Sequence, residues 1–237
     1  MNKTLFSLSA VLGFTVTFSA YAAADFNGVW QVTQPIAALK THDGKTPPLL
    51  PDAAKLYAER SALYNANQAK QYDPAEQSCK PLGPWRNLYD ASLPQAIQPF
   101  EIQQGATRLM FGYTWNRMLR FVDIKNEFSD IAGPTYYGTS IGKWDGNTLV
   151  ITGKMFNDST LLDAAGMPHS DALQTVERLS LTDANTLEDR ITIIDPQIFS
   201  KDWETVVTFK KLPAGTKIQE DLCLQRKNIT LKSPVAE

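Results

Sequence analysis

Cysteine and histidine are the scarcest reactive residues in this chain: two cysteines, Cys79 and Cys223, and two histidines, His42 and His169, in 237 residues. The cysteine spacing is nothing like C-x-x-C. Two histidines cannot fill the usual zinc ligand sets without carboxylates, and no carboxylate spacing suggests one, so no metal is expected. There is no glycine-rich loop to cradle phosphate, which argues against a nucleotide, and no cofactor is expected. A nucleophilic triad is disfavoured as well: G-x-S-x-G is absent, and Ser170 adjoins His169 in sequence, which places the two badly for mutual activation. Charge of one sign is missing too. Lys+Arg number 23 against Asp+Glu 25, with no basic run, and nucleic acid is not an expected partner, because its binding needs clustered positive charge. Internal repeats and low-complexity tracts are also lacking.

The one long apolar run, Leu5 to Phe18, is too short for a membrane span. With Lys3 before it and Ala20-Tyr21-Ala22 after it, the run reads as a secretory signal peptide over residues 1–22. Residues 23–237 are then expected as a single domain, periplasmic or secreted. No cysteine follows the cleavage point, so no lipid anchor is expected. In an oxidising compartment a lone cysteine pair most simply forms one disulfide, here Cys79–Cys223.

What the chain does contain is short alternating stretches. Strands are expected at Pro99 to Gln103, Thr107 to Thr114, Met118 to Asp123, Thr139 to Trp144, Asn147 to Lys154, Ala172 to Leu181, Thr186 to Ile194, Glu204 to Lys210 and Lys217 to Leu224, with a further one from about Asp25. The tight turns between them include Asp145-Gly146, a two-residue loop suited to a type I′ hairpin. One helix is visible, Ala53 to Gln68, with Asp52 as N-cap and Leu56, Leu63 and Tyr64 as its buried stripe. Residues 51–70 form a helical excursion. Parallel architectures need helical crossovers, so the reading is an all-β, lipocalin-like antiparallel barrel of about eight to ten strands.

Two carboxylates stand out against that pattern. Residues two apart on a strand share a face. Glu177 therefore shares one with Leu173, Thr175, Leu179 and Leu181, and Asp189 shares one with Leu187, Ile191 and Ile193. An inward carboxylate is costly unless paired, hydrogen-bonded or facing a wet cavity. Glu177 is either a proton acceptor with a raised pKa or half of an ion pair with Arg117 or Arg120, and Asp189 poses the same choice. The loop 155–171 is the candidate site loop. There His169, oriented by Asp158, is a possible general base, against the plainer role of a loop histidine bonded to backbone. Asn157-Asp158-Ser159-Thr160 also reads as an Asx-turn. Trp30, Tyr113, Trp115, Tyr136, Trp144 and Phe156, with Asn157 and Asp163, are candidates to line a ligand pocket, or are simply core.

Gly28-Val29-Trp30 resembles the opening of lipocalin-type barrels, in which the tryptophan closes the floor. The run Gly142-Lys143-Trp144-Asp145-Gly146-Asn147-Thr148-Leu149-Val150, then Phe156-Asn157-Asp158, Leu162-Asp163, Gly166, Pro168-His169-Ser170, Glu177-Arg178, Thr186-Leu187-Glu188, Ile193, Asp195-Pro196 and Trp203 resembles a widespread family of secreted bacterial proteins. Its members carry W-x-G-x-T-L-V-V, G-F-N-D, P-H-S and E-R in this order. The resemblance implies a functional site within 155–178 and implies no chemistry. Met155, Leu161 and Asp189 depart from the pattern, which has glycine, tryptophan and an aromatic there. The leading expectation is an exported barrel that binds a small apolar or aromatic molecule. Its alternatives are a cofactor-free lyase or isomerase, with His169 shuttling a proton and Glu177 or Asp189 stabilising charge, and an envelope interaction protein with a filled barrel.

Overall fold

The computed structural model describes residues 24–95, 98–129 and 133–227. The expected signal peptide lies outside them. Nine strands close into a barrel in chain order: β1 Gly28–Val32, β2 Phe100–Gln104, β3 Arg108–Tyr113, β4 Leu119–Ile124, β5 Thr139–Asp145, β6 Thr148–Lys154, β7 Gln174–Asp183, β8 Thr186–Ile194 and β9 Trp203–Lys211. Neighbours run antiparallel with one exception, β4 against β5, which pair in parallel through Val122–Ser140, Asp123–Ile141 and Ile124–Gly142. The exception is arithmetically required. Alternating directions cannot close a ring with an odd number of strands, so one neighbouring pair must agree in direction.

The two ends of the barrel differ. Short links, 105–107, 146–147 and 184–185, join strands at the floor, where Trp144 stacks on Phe26 at 5.5 Å and the Trp30 indole donates to the Phe26 carbonyl. The long links lie at the mouth. Residues 33–99 leave β1 there and return to β2 there, carrying α1 Pro51–Asn65, α2 Pro74–Ser78 and α3 Arg86–Tyr89, while residues 155–173 lie between β6 and β7 at the same end. Together these segments cap the mouth.

Alternation sorts the strands as their residues require. Phe100, Ile102, Phe111, Leu149, Ile151, Leu187, Ile191 and Phe209 are buried, and burying a side chain of this size contributes roughly 1.5–3 kcal/mol. The hairpin at Asp145-Gly146 forms with Gly146 at φ +60°, the positive dihedral that a primed turn requires.

Three expectations need correction. Residues 217–222 form no strand, and Cys223–Arg226 is a short helix, α4. The pattern read as a strand instead runs along the outer wall, where Ile218 lies against Gly112 of β3, and carries Cys223 back to the cap. The long helix begins at Pro51, with Leu50 rather than Asp52 at its N-cap. Proline suits the first helical turn because its missing N–H would have no partner there. Finally, the stripe expected on α1 is not its buried face. Leu56 is exposed, while Ala53 is buried and Tyr57, Arg60 and Ser61 donate to Asp163, Gly166 and Ala165. That helix docks through polar contacts to the Asp163 carboxylate and to the carbonyls of Ala165 and Gly166, which hydropathy alone does not reveal.

The disulfide forms as expected between Cys79 and Cys223, with 144 residues of sequence separation. No helix among the described residues is long and apolar enough to cross a membrane.

Candidate functional site

Glu177 and Asp189 both point inward and are 1% exposed. Their fates differ. Glu177 is gripped by Arg120, whose Nη2 and Nη1 donate to Oε1 at 2.6 Å and Oε2 at 2.8 Å. Ser140 Oγ accepts from Nε and Nη2 of the same guanidinium at 3.2 and 3.0 Å, and the ring of Phe111 lies beneath it, 5.5 Å from Cζ. A bidentate pair of this geometry cancels both charges in a medium where neither alone is tolerable.

Asp189 gets no such partner. Its Oδ1 is buried with no hydrogen bond among the described residues, and burial, reinforced by the charge on Glu177, pushes its pKa well above the usual carboxylate range. One arginine cannot neutralise two carboxylates. Arg120 is spent on Glu177, and Asp189, with no cation of its own, holds its proton to well above the usual carboxylate range.

More unmet hydrogen-bonding capacity surrounds this trio. Tyr113 Oη and Thr175 Oγ1, on the mouth-side ends of β3 and β7, are buried without partners, as are Trp85 Nε1 and Asn87 Oδ1 in or beside α3 of the cap. Tyr137 stacks on Tyr113 at 6.0 Å, and its hydroxyl accepts from Asn87 at 2.9 Å. A polar centre therefore sits in the upper barrel and under the cap, surrounded by the aromatic and aliphatic core.

The cap's own polar groups are, by contrast, largely satisfied. Arg86 is bound by Asp73 and Asp90, all three buried. Asp163 accepts from Leu39 N, Tyr57 Oη and Met167 N at 2.9, 2.8 and 2.9 Å. This is a carboxylate used to fold a loop, not to meet a ligand. Phe156 packs on Trp85 at 4.8 Å and lies against Gly138 and Gly153. A Cβ on Gly138, whose φ is +59°, would fall 2.5 Å from the Phe156 ring.

The loop histidine turns out to be a bonded one. His169 is 5% exposed. Its Nδ1 lies 3.0 Å from the Ser170 carbonyl, an acceptor only, so Nδ1 carries the proton and Nε2 accepts from Thr160 Oγ1 at 2.7 Å. Burial pulls its pKa down, and with both nitrogens engaged it has none free to shuttle a proton. Asp158 is exposed and makes no hydrogen bond to it, while Asn157 Oδ1 accepts from Ser159 N in the Asx-turn. Ser170 is held by Asp195 through backbone and hydroxyl, at 2.6 and 2.8 Å.

The structure thus brings Glu177, Asp189 and Tyr113 together and leaves His169, Asp158, Asn157 and Asp163 in the cap's scaffolding. Trp30 and Trp144 are floor residues. Trp115 lies outside the barrel, packed with Cys79, Leu82 and Cys223. Tyr137, not the half-buried Tyr136, is the aromatic at the polar centre. Of the two arginines the sequence offered as partners of Glu177, Arg120 is the one that binds it and Arg117 does not, while Ser140 and Asn87 were missed. Arg120 had a signal available, since it shares a face with Val122 on β4. Of the five surface clefts described, about 360–470 Å³ each, none is lined by Arg120, Glu177 or Asp189.

No family model and no curated protein matches the chain. Among solved structures it is similar to a variant of the fluorescent protein UnaG, at 12% identity over 79% of this chain and 96% of that one, with a TM-score of 0.36. It is also similar to wild-type UnaG, at 10% identity over 79% and 97%, with a TM-score of 0.33. The barrel assignment rests on the strand pairing of this chain itself.

Proposed function

We propose that the chain is an exported barrel that binds a small, largely apolar molecule, seated in the upper barrel beneath the cap with its polar group on the Arg120–Glu177–Asp189 centre. The observation that carries this reading is a buried centre with unspent hydrogen bonds. Native cores pair their buried polar groups because each orphan costs about 1–3 kcal/mol. Here Asp189, Tyr113 and Thr175 leave such groups unpaired within one region. Unpaired groups also occur singly at Trp115, Trp203 and Asp221, but their clustering around one ion pair is what a ligand-binding wall would use. The disulfide and the secretory reading of residues 1–22 support export. The resemblance of residues 142–203 to the secreted bacterial signature supports membership of that family.

Since the polar centre lines none of the described surface clefts, entry requires the cap to lift. The test is native mass spectrometry of the mature chain purified from its own host, with and without an organic extraction. A bound small molecule lost on extraction, and lost also from Asp189→Leu, supports the reading. A chain that carries no small molecule and takes up none from a panel of neutral and anionic amphiphiles overturns it.

A catalytic reading has one observation in its favour: Asp189 holds a proton beside a guanidinium, as a general acid does. It no longer involves His169. Turnover that survives His169→Gln and disappears in Asp189→Asn would mark catalysis.

A further inference from the structure

We infer that the ligand is an uncharged molecule presenting a carbonyl-type hydrogen-bond acceptor, and that carboxylate-bearing amphiphiles such as fatty acids are rejected. The inference rests on the binding site proposed above and names the class of ligand it takes.

The argument is a count of charges and of hydrogens. Arg120 is the only cation of the interior trio, and both arms of its fork are committed to Glu177, with Ser140 taking Nε and sharing Nη2. Of five guanidinium N–H groups, the four on these bonds are spent, which leaves one on Nη1. A ligand carboxylate therefore cannot obtain the bidentate clasp that normally compensates an anion for leaving water, unless it displaces Glu177. Displaced, Glu177 would be a bare buried anion beside another, a costly state. The unspent groups are mostly donors: the Asp189 hydroxyl, the Tyr113 hydroxyl, the Thr175 hydroxyl and the Trp85 indole N–H. Asn87 Oδ1 is the one pure acceptor among them. An array rich in donors and neutral overall matches a neutral acceptor oxygen, as in a ketone, ester, lactone or quinone. The apolar remainder of such a molecule suits the surrounding Phe100, Phe111, Ile151 and Ile191.

The test uses three probes of equal chain length: 2-undecanone, undecanoate and undecane, each displacing Nile red from the mature, disulfide-bonded chain at pH 8. 2-Undecanone is expected to displace at concentrations at least about tenfold below either other probe, the value of roughly one net hydrogen bond. Undecane equal to the ketone, or undecanoate tighter than the ketone, overturns the inference while leaving a binding barrel in place. Displacement by none of the three overturns the ligand-binding reading itself. Glu177→Gln combined with Asp189→Asn leaves the guanidinium without a carboxylate and is expected to improve undecanoate by about tenfold or more, whereas no gain refutes the charge argument. Should that variant not fold, Asp189→Leu is expected to erase the ketone's advantage over undecane, and an unchanged advantage refutes the role of the donor array.

Discussion

Replacing Asp189 with asparagine should make the protein more stable at neutral pH, and increasingly so as pH rises. The native side chain is 1% exposed, with Oδ1 unbonded and the Glu177 side chain nearby. Its carboxyl stays protonated in the folded chain well above its ordinary value of 3.8, at which the unfolded chain releases the proton. Between those two points the native state binds one more proton than the unfolded state, so stability falls as pH rises. The slope is about 1.4 kcal/mol per pH unit for one proton. Each pH unit over which the native carboxyl keeps its proton is a large step against the roughly 5–15 kcal/mol that holds a typical domain together. Asparagine keeps the shape and a donor but has nothing to titrate. Urea unfolding of both proteins at pH 5, 6 and 7 should show the variant's advantage growing with pH, by up to about 1.4 kcal/mol per unit. An advantage that stays level across that range would refute the reasoning. Asp189 would then be ionised in the native state.

Arg120→Met should be among the most damaging single changes, at about 3–5 kcal/mol, because it strands Glu177 as an unpaired buried anion; Arg120→Met with Glu177→Leu together should recover much of that loss in urea titrations. Thr160→Val should cost about 1–2 kcal/mol by leaving His169 Nε2 without its donor. Because burial lowers the pKa of His169 from 6.5, its contribution to stability is present above that value and is lost as pH falls below it. His169→Gln should accordingly weaken the acid sensitivity of the wild type between pH 6.5 and 5 in a thermal-unfolding series. Removing the disulfide with Cys79→Ser and Cys223→Ser should cost about 2–5 kcal/mol and should speed release of Nile red in stopped-flow, since the bond restrains one side of the cap.

Much of the barrel was legible because its strands obey period two. Leu187, Asp189, Ile191 and Ile193 are all buried, and the alternation that marked them as one face also exposed the two misplaced carboxylates. The Asp145-Gly146 turn and the cysteine pair were equally plain, each carrying a local or compartmental constraint of its own. What failed were features decided by distant partners. Lys217 to Leu224 has strand-like composition, yet β9 already pairs with β1 to close the ring, which leaves that segment no edge to join. His169 and Asp158 look like a catalytic couple until Thr160 and the Ser170 carbonyl take both imidazole nitrogens. Arg86, Asp73 and Asp90 are ordinary surface residues by type, and only the folding of the cap brings them together in the interior. The parallel pair follows from the strand count, which the extra expected strand concealed.

The Cys79–Cys223 bond makes most of this molecule a covalent ring. Strands β2 to β9, α3 and the 155–173 loop all lie within the 79–223 circuit, while β1, α1 and α2 hang outside it. A protease cut anywhere in the circuit therefore leaves one connected molecule. β1 is the single stave not enclosed, held by three residue pairs to β2 and three to β9. Oxidised and lacking β1, the chain would be a hoop with a gap: eight strands bound for life in one order, waiting for their ninth.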